Sequence, residues 1–173
     1  MAISLYAATI PNYLQLLEAV FRLLEKAEAH CSEKGLDPNS ILQARLAEDM
    51  NPFVYQVKSA AVHSIGAIEG VRRGSFSPDT TTPPQTFPAL KARVSEAVKA
   101  LNAIAPEEVD GFVGRDMCFV FGDRRVDYRA EDFLLSFSQP NFFFHVTTAY
   151  DILRWKGLPI GKRDYLGKLR IKR

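Results

Sequence analysis

The stretch QPNFFFHVTTAYDILRWKGLPIG, Gln139 to Gly161, decides how this chain is read. Its apolar residues recur at helical steps, and Gly157 with Pro159 supplies a stop signal. Within it stand two polar side chains four residues apart, Asn141 and His145, in the most aromatic part of the sequence. Residues at that spacing are about 40° apart on a helix and share one face. A stripe through Leu134, Phe137, Phe144, Thr148, Ile152 and Trp155 passes over both, so both are expected to face an interior. Pro140 removes a backbone donor nearby, which predicts a kink or a freed carbonyl.

Three more segments carry the same period. Ile10, Tyr13, Leu14, Leu17, Val20, Phe21, Leu24 and Ala27 mark the first, with Pro11 in an early turn and Gly35 as its stop. The second starts near Asn51, with Phe53, Val54, Val57, Ala60, Ala61, Ile65 and Ile68 as its stripe and Gly70 closing it. The third covers roughly Phe87 to Ile104. A short extra helix is expected after Asp37 and Pro38. Between the third and the last helix, CFVFGDRRVDY (Cys118–Tyr128) has two β-prone runs around Gly122–Asp123 and reads as a hairpin. The expected fold is mainly all-α, a four-helix bundle with one short β-hairpin before the last helix. The first two loops suit antiparallel neighbours.

At 173 residues, 47% hydrophobic and 24% charged, the chain fits one soluble domain over residues 1–173. Two cysteines make no disulfide framework, and no secretory or membrane-spanning pattern occurs, so a cytoplasmic location is expected. The tail from Lys162 to Arg173 holds six basic residues against Asp164, a balance of +5 that exceeds the +2 of the whole chain. Nucleic acid or anionic lipid attracts such tails, but no aromatic–basic interleaving recurs, and a solvated terminus without specific nucleic-acid or membrane partners is expected.

Glycine-rich phosphate loops, HExxH and GxSxG are absent. On the second helix, Asp49, Gln56 and His63 recur by sevens and so lie close to one line. If that face meets the last helix, Gln56, Asn141 and His145 converge in one pocket, with Asp49, His63, Phe53, Phe144 and Thr148 as further ligand-contacting residues. His145 would serve as general acid or base, and the two amides would orient a substrate or stabilise charge. The alternative is that these groups only satisfy one another in the core. One imidazole with two neutral amides is a poor set for zinc.

The quoted stretch, with SLYAATIPNYLQLLEAVFRLLEKAEAH (Ser4–His30) and ARLAEDMNPFVYQV (Ala44–Val57), resembles the DinB-like, or YfiT-like, superfamily of four-helix bundles regarded as metalloenzymes, in a branch described only as a domain of unknown function. That superfamily uses three histidines, one on the second helix and two spaced by four on the last. Counting back from Leu153–Arg154 places His145 at the second position of that pair and Asn141 at the first, with Gln56 nearest the remaining one. The resemblance therefore implies that one histidine of three is kept. No cofactor is predicted, and a divalent metal such as zinc or nickel, which would fall to His145, Asn141 and Gln56, is disfavoured. Two functions follow as expectations: an interior pocket that binds or transforms a small organic molecule without the full metal triad, or a non-catalytic ligand-binding or self-associating bundle with a degenerate metal site. A homodimer is the expected assembly.

Overall fold

The computed structural model describes residues 3–172; Arg173, part of the basic tail considered above, lies outside the described residues. Helix α1 (Leu5–Lys34) opens on Ser4, whose hydroxyl accepts from the Ala7 amide, and stops at Gly35 in the left-handed conformation with φ 61°. It starts earlier than its apolar stripe suggests, so Pro11 lies inside it. The short α2 (Asn39–Leu42) follows. The second long helix is interrupted: α3 (Phe53–Ala61), a π turn over Val62–Gly66, then α4 (Ala67–Arg73). It ends at Gly74, φ 74°, and not at Gly70, which is buried within α4.

Helix α5 (Phe87–Asn102), capped by Thr86, and the short α6 (Pro106–Asp110) lead to the hairpin of β2 (Asp116–Phe121) and β3 (Arg124–Arg129). The hairpin turns at Gly122–Asp123, with Gly122 at φ 56°. A third strand, β1 (Ser75–Phe76), adds parallel to β2, pairing Ser75 with Cys118 and Phe76 with Phe119. The last helix begins as one turn, α7 (Ala130–Asp132), passes through a second π segment (Phe133–Ser138), and continues as α8 (Gln139–Trp155). A short α9 (Lys162–Leu166) follows.

The protein is thus mainly helical, a bundle with a small three-stranded sheet. Helix α1 packs chiefly on α5 and α9 and then on α8, and α3 on α8 and α5, so α1 and α3 are diagonal rather than adjacent. One continuous core includes Tyr13, Leu17, Leu24, Phe53, Leu90, Phe133 and Phe142. Among the described residues no helix is long and apolar enough to cross a membrane.

The π segment corrects the expected stripe on the last helix. A π turn carries an extra residue, so helical counting across it is wrong by about 100°. At the start of the break Phe133 and Leu134 are buried; after it the inward line is Phe142, His145, Val146, Ala149, Ile152 and Leu153. Phe144 and Trp155, expected inside, are 56% and 62% exposed. The basic side chains Lys162, Arg163, Lys168, Arg170 and Lys172 are exposed, in line with a solvated tail, but the backbone of the tail is fastened. It lies back along α1, where Gln15 donates to the Leu166 carbonyl at 2.8 Å and Arg170 to Asn12 Oδ1 at 2.6 Å.

Candidate functional site between the second and last helices

Helix α3 starts at Phe53 because Pro52 stands just before it in extended backbone, leaving the Asn51 carbonyl outside the helix. The Gln56 side chain folds back onto that carbonyl, donating from Nε2 at 2.8 Å. A carbonyl only accepts, so the orientation of the Gln56 amide is fixed by the network: its Oε1 must face away from Asn51. Oε1 lies 2.7 Å from His145 Nδ1. The His145 Nδ1 therefore carries the hydrogen and donates it, and the lone pair of the neutral ring resides on Nε2.

His63, from the first π turn, stacks on this imidazole, with ring centroids 5.6 Å apart and planes 21° from parallel. Tyr55 meets His145 edge-on at 6.0 Å. On its other side His63 contacts Phe76 at 5.5 Å and Phe137 at 5.9 Å. Phe76 in turn packs on Phe119 and Phe133, so the small sheet presses an aromatic cluster onto the histidine pair. Burial holds His145 down to a pKa of about 4. Burial, reinforced by the neighbouring His145, holds His63 down to about 3. Both rings are neutral at physiological pH.

The two π segments face each other at this level. Ser138, the last residue of the second, donates from Oγ to the His63 backbone carbonyl at 3.0 Å and stands 3.5 Å from His63 Nδ1. Tyr13, fully buried on α1, packs on Phe142 and has no hydrogen-bond partner for its hydroxyl among the described residues. Burial raises its pKa above the usual phenolic value.

Not every predicted site residue joins. Gln56, His63 and His145 come together. Phe53 and Thr148 are buried in the flanking helices. Asn141 is only half-buried, and its Nδ2 donates to the Phe137 carbonyl at 2.7 Å, one turn back on its own chain, instead of reaching toward His145 or Gln56. Asp49 lies in an exposed turn before the helix, so the line of sevens it was expected to extend does not exist there. Phe144 sits beside His145 with ring centroids 5.4 Å apart, on the solvent side.

Ser138, Tyr55 and the Asn51 carbonyl were missed. Only Asn51 left a trace in the sequence, as the residue before a proline that opens a helix.

A divalent metal does not suit this donor set. The Gln56 oxygen is already committed to His145 Nδ1, Asn141 is turned onto its own backbone, and two imidazoles remain. No group of three or more His, Cys, Asp or Glu suited to a metal occurs among the described residues.

Comparison with known proteins gives the family and the fold. The family model described as "Domain of unknown function (DUF1993)" matches residues 5–166. A crystal structure of a DinB family member protein from Shewanella denitrificans superposes with a TM-score of 0.81 at 24% identity, over 98% of this chain and 95% of that one. At that identity the likeness speaks for the fold. No curated protein matches the chain.

Proposed function

This chain belongs to the DUF1993 family, and on that premise we propose that its bundle binds a small, partly apolar organic molecule at His145, without a metal. The observation that carries this reading is the relay from the Asn51 carbonyl through Gln56 to His145. It commits Nδ1 as a donor and leaves Nε2 as an oriented lone pair. A neutral imidazole fixed in this way accepts a hydrogen bond from an O–H, N–H or S–H group.

Its low pKa of about 4 defines the chemistry further. A base that weak does not hold a proton at neutral pH; it polarises a donor, or takes a proton transiently from an acidic group. His63, stacked on it, adds to the cost of protonating both rings together. The site thus favours a neutral ligand that donates a hydrogen bond. Tyr55 provides an apolar edge beside the ring.

The second reading, a non-catalytic bundle in which this cluster is a remnant, draws support from the packing of His145, only 9% exposed. One experiment separates the two. The 15N resonances of the imidazoles are followed while a library of small alcohols, phenols, amides and thiols is titrated against the wild type and His145→Phe. The proposal expects at least one compound to move the His145 Nε2 resonance and to lose binding in the variant. If no compound moves Nε2, or His145→Phe binds every hit equally well, the remnant reading stands.

A further inference from the structure

The C-terminal segment builds a second polar feature against α1, lined by none of Gln56, His63 and His145. Residues 162–168 lie over α1 and enclose a cleft of about 360 Å³, lined by Arg22, Leu23, Lys26, Arg163, Asp164 and Lys168 together with Gly167. Four of these side chains are cationic and one is anionic. The anion is fully engaged: Asp164 Oδ1 pairs with Lys26 Nζ at 2.5 Å, and Oδ2 accepts from the Gly161 amide at 2.7 Å. Both contacts hold its carboxyl below the usual range. Among the described residues Arg22, Arg163 and Lys168 form no ion pair, although Glu18 and Glu25 stand one turn to either side of Arg22 on α1.

The backbone holds these cations together. Gly167 takes φ 63°, and a Cβ there would fall 2.8 Å from Arg22 Nη2, 3.2 Å from Ala19 Cβ and 3.3 Å from the Gln15 carbonyl. Only glycine lets the chain lie this close to α1. The Gln15–Leu166 hydrogen bond fastens it on one side. Tyr165 fastens it on the other, accepting from the Thr147 hydroxyl at 3.2 Å and meeting Tyr150 edge-on at 5.8 Å. Like charges gathered by such contacts repel one another, and that repulsion is relieved when an anion enters.

We propose that this seam between α1 and α9 is a binding site for a phosphate-bearing small molecule. Two guanidinium forks, Arg22 and Arg163, match phosphate oxygens, and Lys168 adds a point charge. Buried Leu23 at the base of the cleft offers an apolar contact to the group that carries the phosphate. The cleft volume accommodates a phosphomonoester of modest size.

Calorimetric titration of the full chain with phenyl phosphate, at constant ionic strength, tests this. Benzenesulfonate serves as a monoanionic comparator of similar shape. The wild type is expected to bind phenyl phosphate with a Kd of about 1 mM or tighter, and benzenesulfonate about tenfold more weakly. Arg163→Gln and Lys168→Gln, both exposed and expected to keep the wild-type Tm, should each weaken phenyl phosphate by about fivefold or more. Gly167→Ala should weaken it too, by lifting the tail. The proposal is overturned if phenyl phosphate does not bind, if benzenesulfonate binds equally, or if the glutamine variants bind like the wild type. Sedimentation with phosphatidylcholine vesicles containing phosphatidic acid distinguishes a lipid headgroup from a free ester. Capture by those vesicles without binding of phenyl phosphate also overturns it.

Discussion

His145 Nδ1 sits 2.7 Å from Gln56 Oε1, joining the last helix of the bundle to the second through one buried hydrogen bond. The bond is directional because Gln56 is itself held by the Asn51 carbonyl. Removing either partner leaves the other buried and unsatisfied, whereas removing both leaves an apolar contact. Gln56→Leu is therefore expected to lose about 1–3 kcal/mol in urea unfolding, and His145→Leu a similar amount. The double variant should lose clearly less than their sum. Additive losses would mean that the two side chains do not interact.

The histidine pair makes stability depend on pH with a definite sign. Both folded-state pKa values lie below the usual 6.5, at about 4 for His145 and about 3 for His63. The unfolded chain takes up protons near 6.5 while the folded one does not, so stability is complete above that pH and declines as pH falls toward 4. The slope has an upper limit of about 1.4 kcal/mol per pH unit for each histidine. His63→Phe, which keeps the aromatic stack, should flatten the profile between pH 6.5 and 4, measured by urea unfolding at a series of pH values. An unchanged profile would show that His63 does not contribute.

These two histidines also show how far the sequence carried. Pairing of His145 with Gln56 was legible because regular helical counting holds from Phe53 through Ala61 and again from Gln139 onward. The broken stretches were not legible. Whether residues 133–138 form α or π turns depends on what they meet, and Ser138 meets the His63 carbonyl of a segment far away in the chain. The phase error from that break is what placed Phe144 and Trp155 inside. Likewise the exposure of the tail's charges was legible, because charge is visible in a sequence, whereas a carbonyl such as that of Leu166, which Gln15 grips, is not. Glycines at true chain reversals, Gly35 and Gly122, were read correctly since backbone geometry there is local.

Lys58 predicts a further effect. It is 3% exposed, yet its ammonium donates to the carbonyls of Asp79 and Thr81 and pairs with the Asp79 carboxylate at 2.9 Å. One side chain thus fixes the loop that follows β1. Lys58→Met keeps the packing of the stem and removes all three contacts, with an expected loss of about 1–3 kcal/mol. Faster amide exchange should appear in residues 77–86. The Asp79 pKa is held below its usual value because its hydrogen bonds to Thr81 and Lys58 outweigh the opposing effect of burial. Its contribution is present at neutral pH and fades as pH falls through the folded-state value. Asp79→Asn should accordingly destabilise less in acid than at pH 7.

Gly66 and Gly70 occupy one continuous helical run and should respond oppositely to the same substitution. Glycine within a helix costs about 1 kcal/mol relative to alanine, so replacement is favourable wherever a methyl group fits. At Gly66, φ −61°, a Cβ would meet nothing nearer than 3.8 Å, an ordinary contact with Val62. At Gly70 it would lie 3.1 Å from both Cβ and Cδ2 of Phe76 and 3.3 Å from the Ser75 carbonyl. Phe76 cannot retreat easily, because it is wedged among His63, Phe119 and Phe133. Gly66→Ala is thus expected to stabilise by about 0.5–1 kcal/mol. Gly70→Ala should destabilise by about 1–3 kcal/mol and push the aromatic cluster toward His63. Thermal unfolding measures both signs, and the His63 ring resonances report the displacement. If the two variants shift Tm in the same direction, the close packing of β1 on α4 is not what keeps Gly70 a glycine.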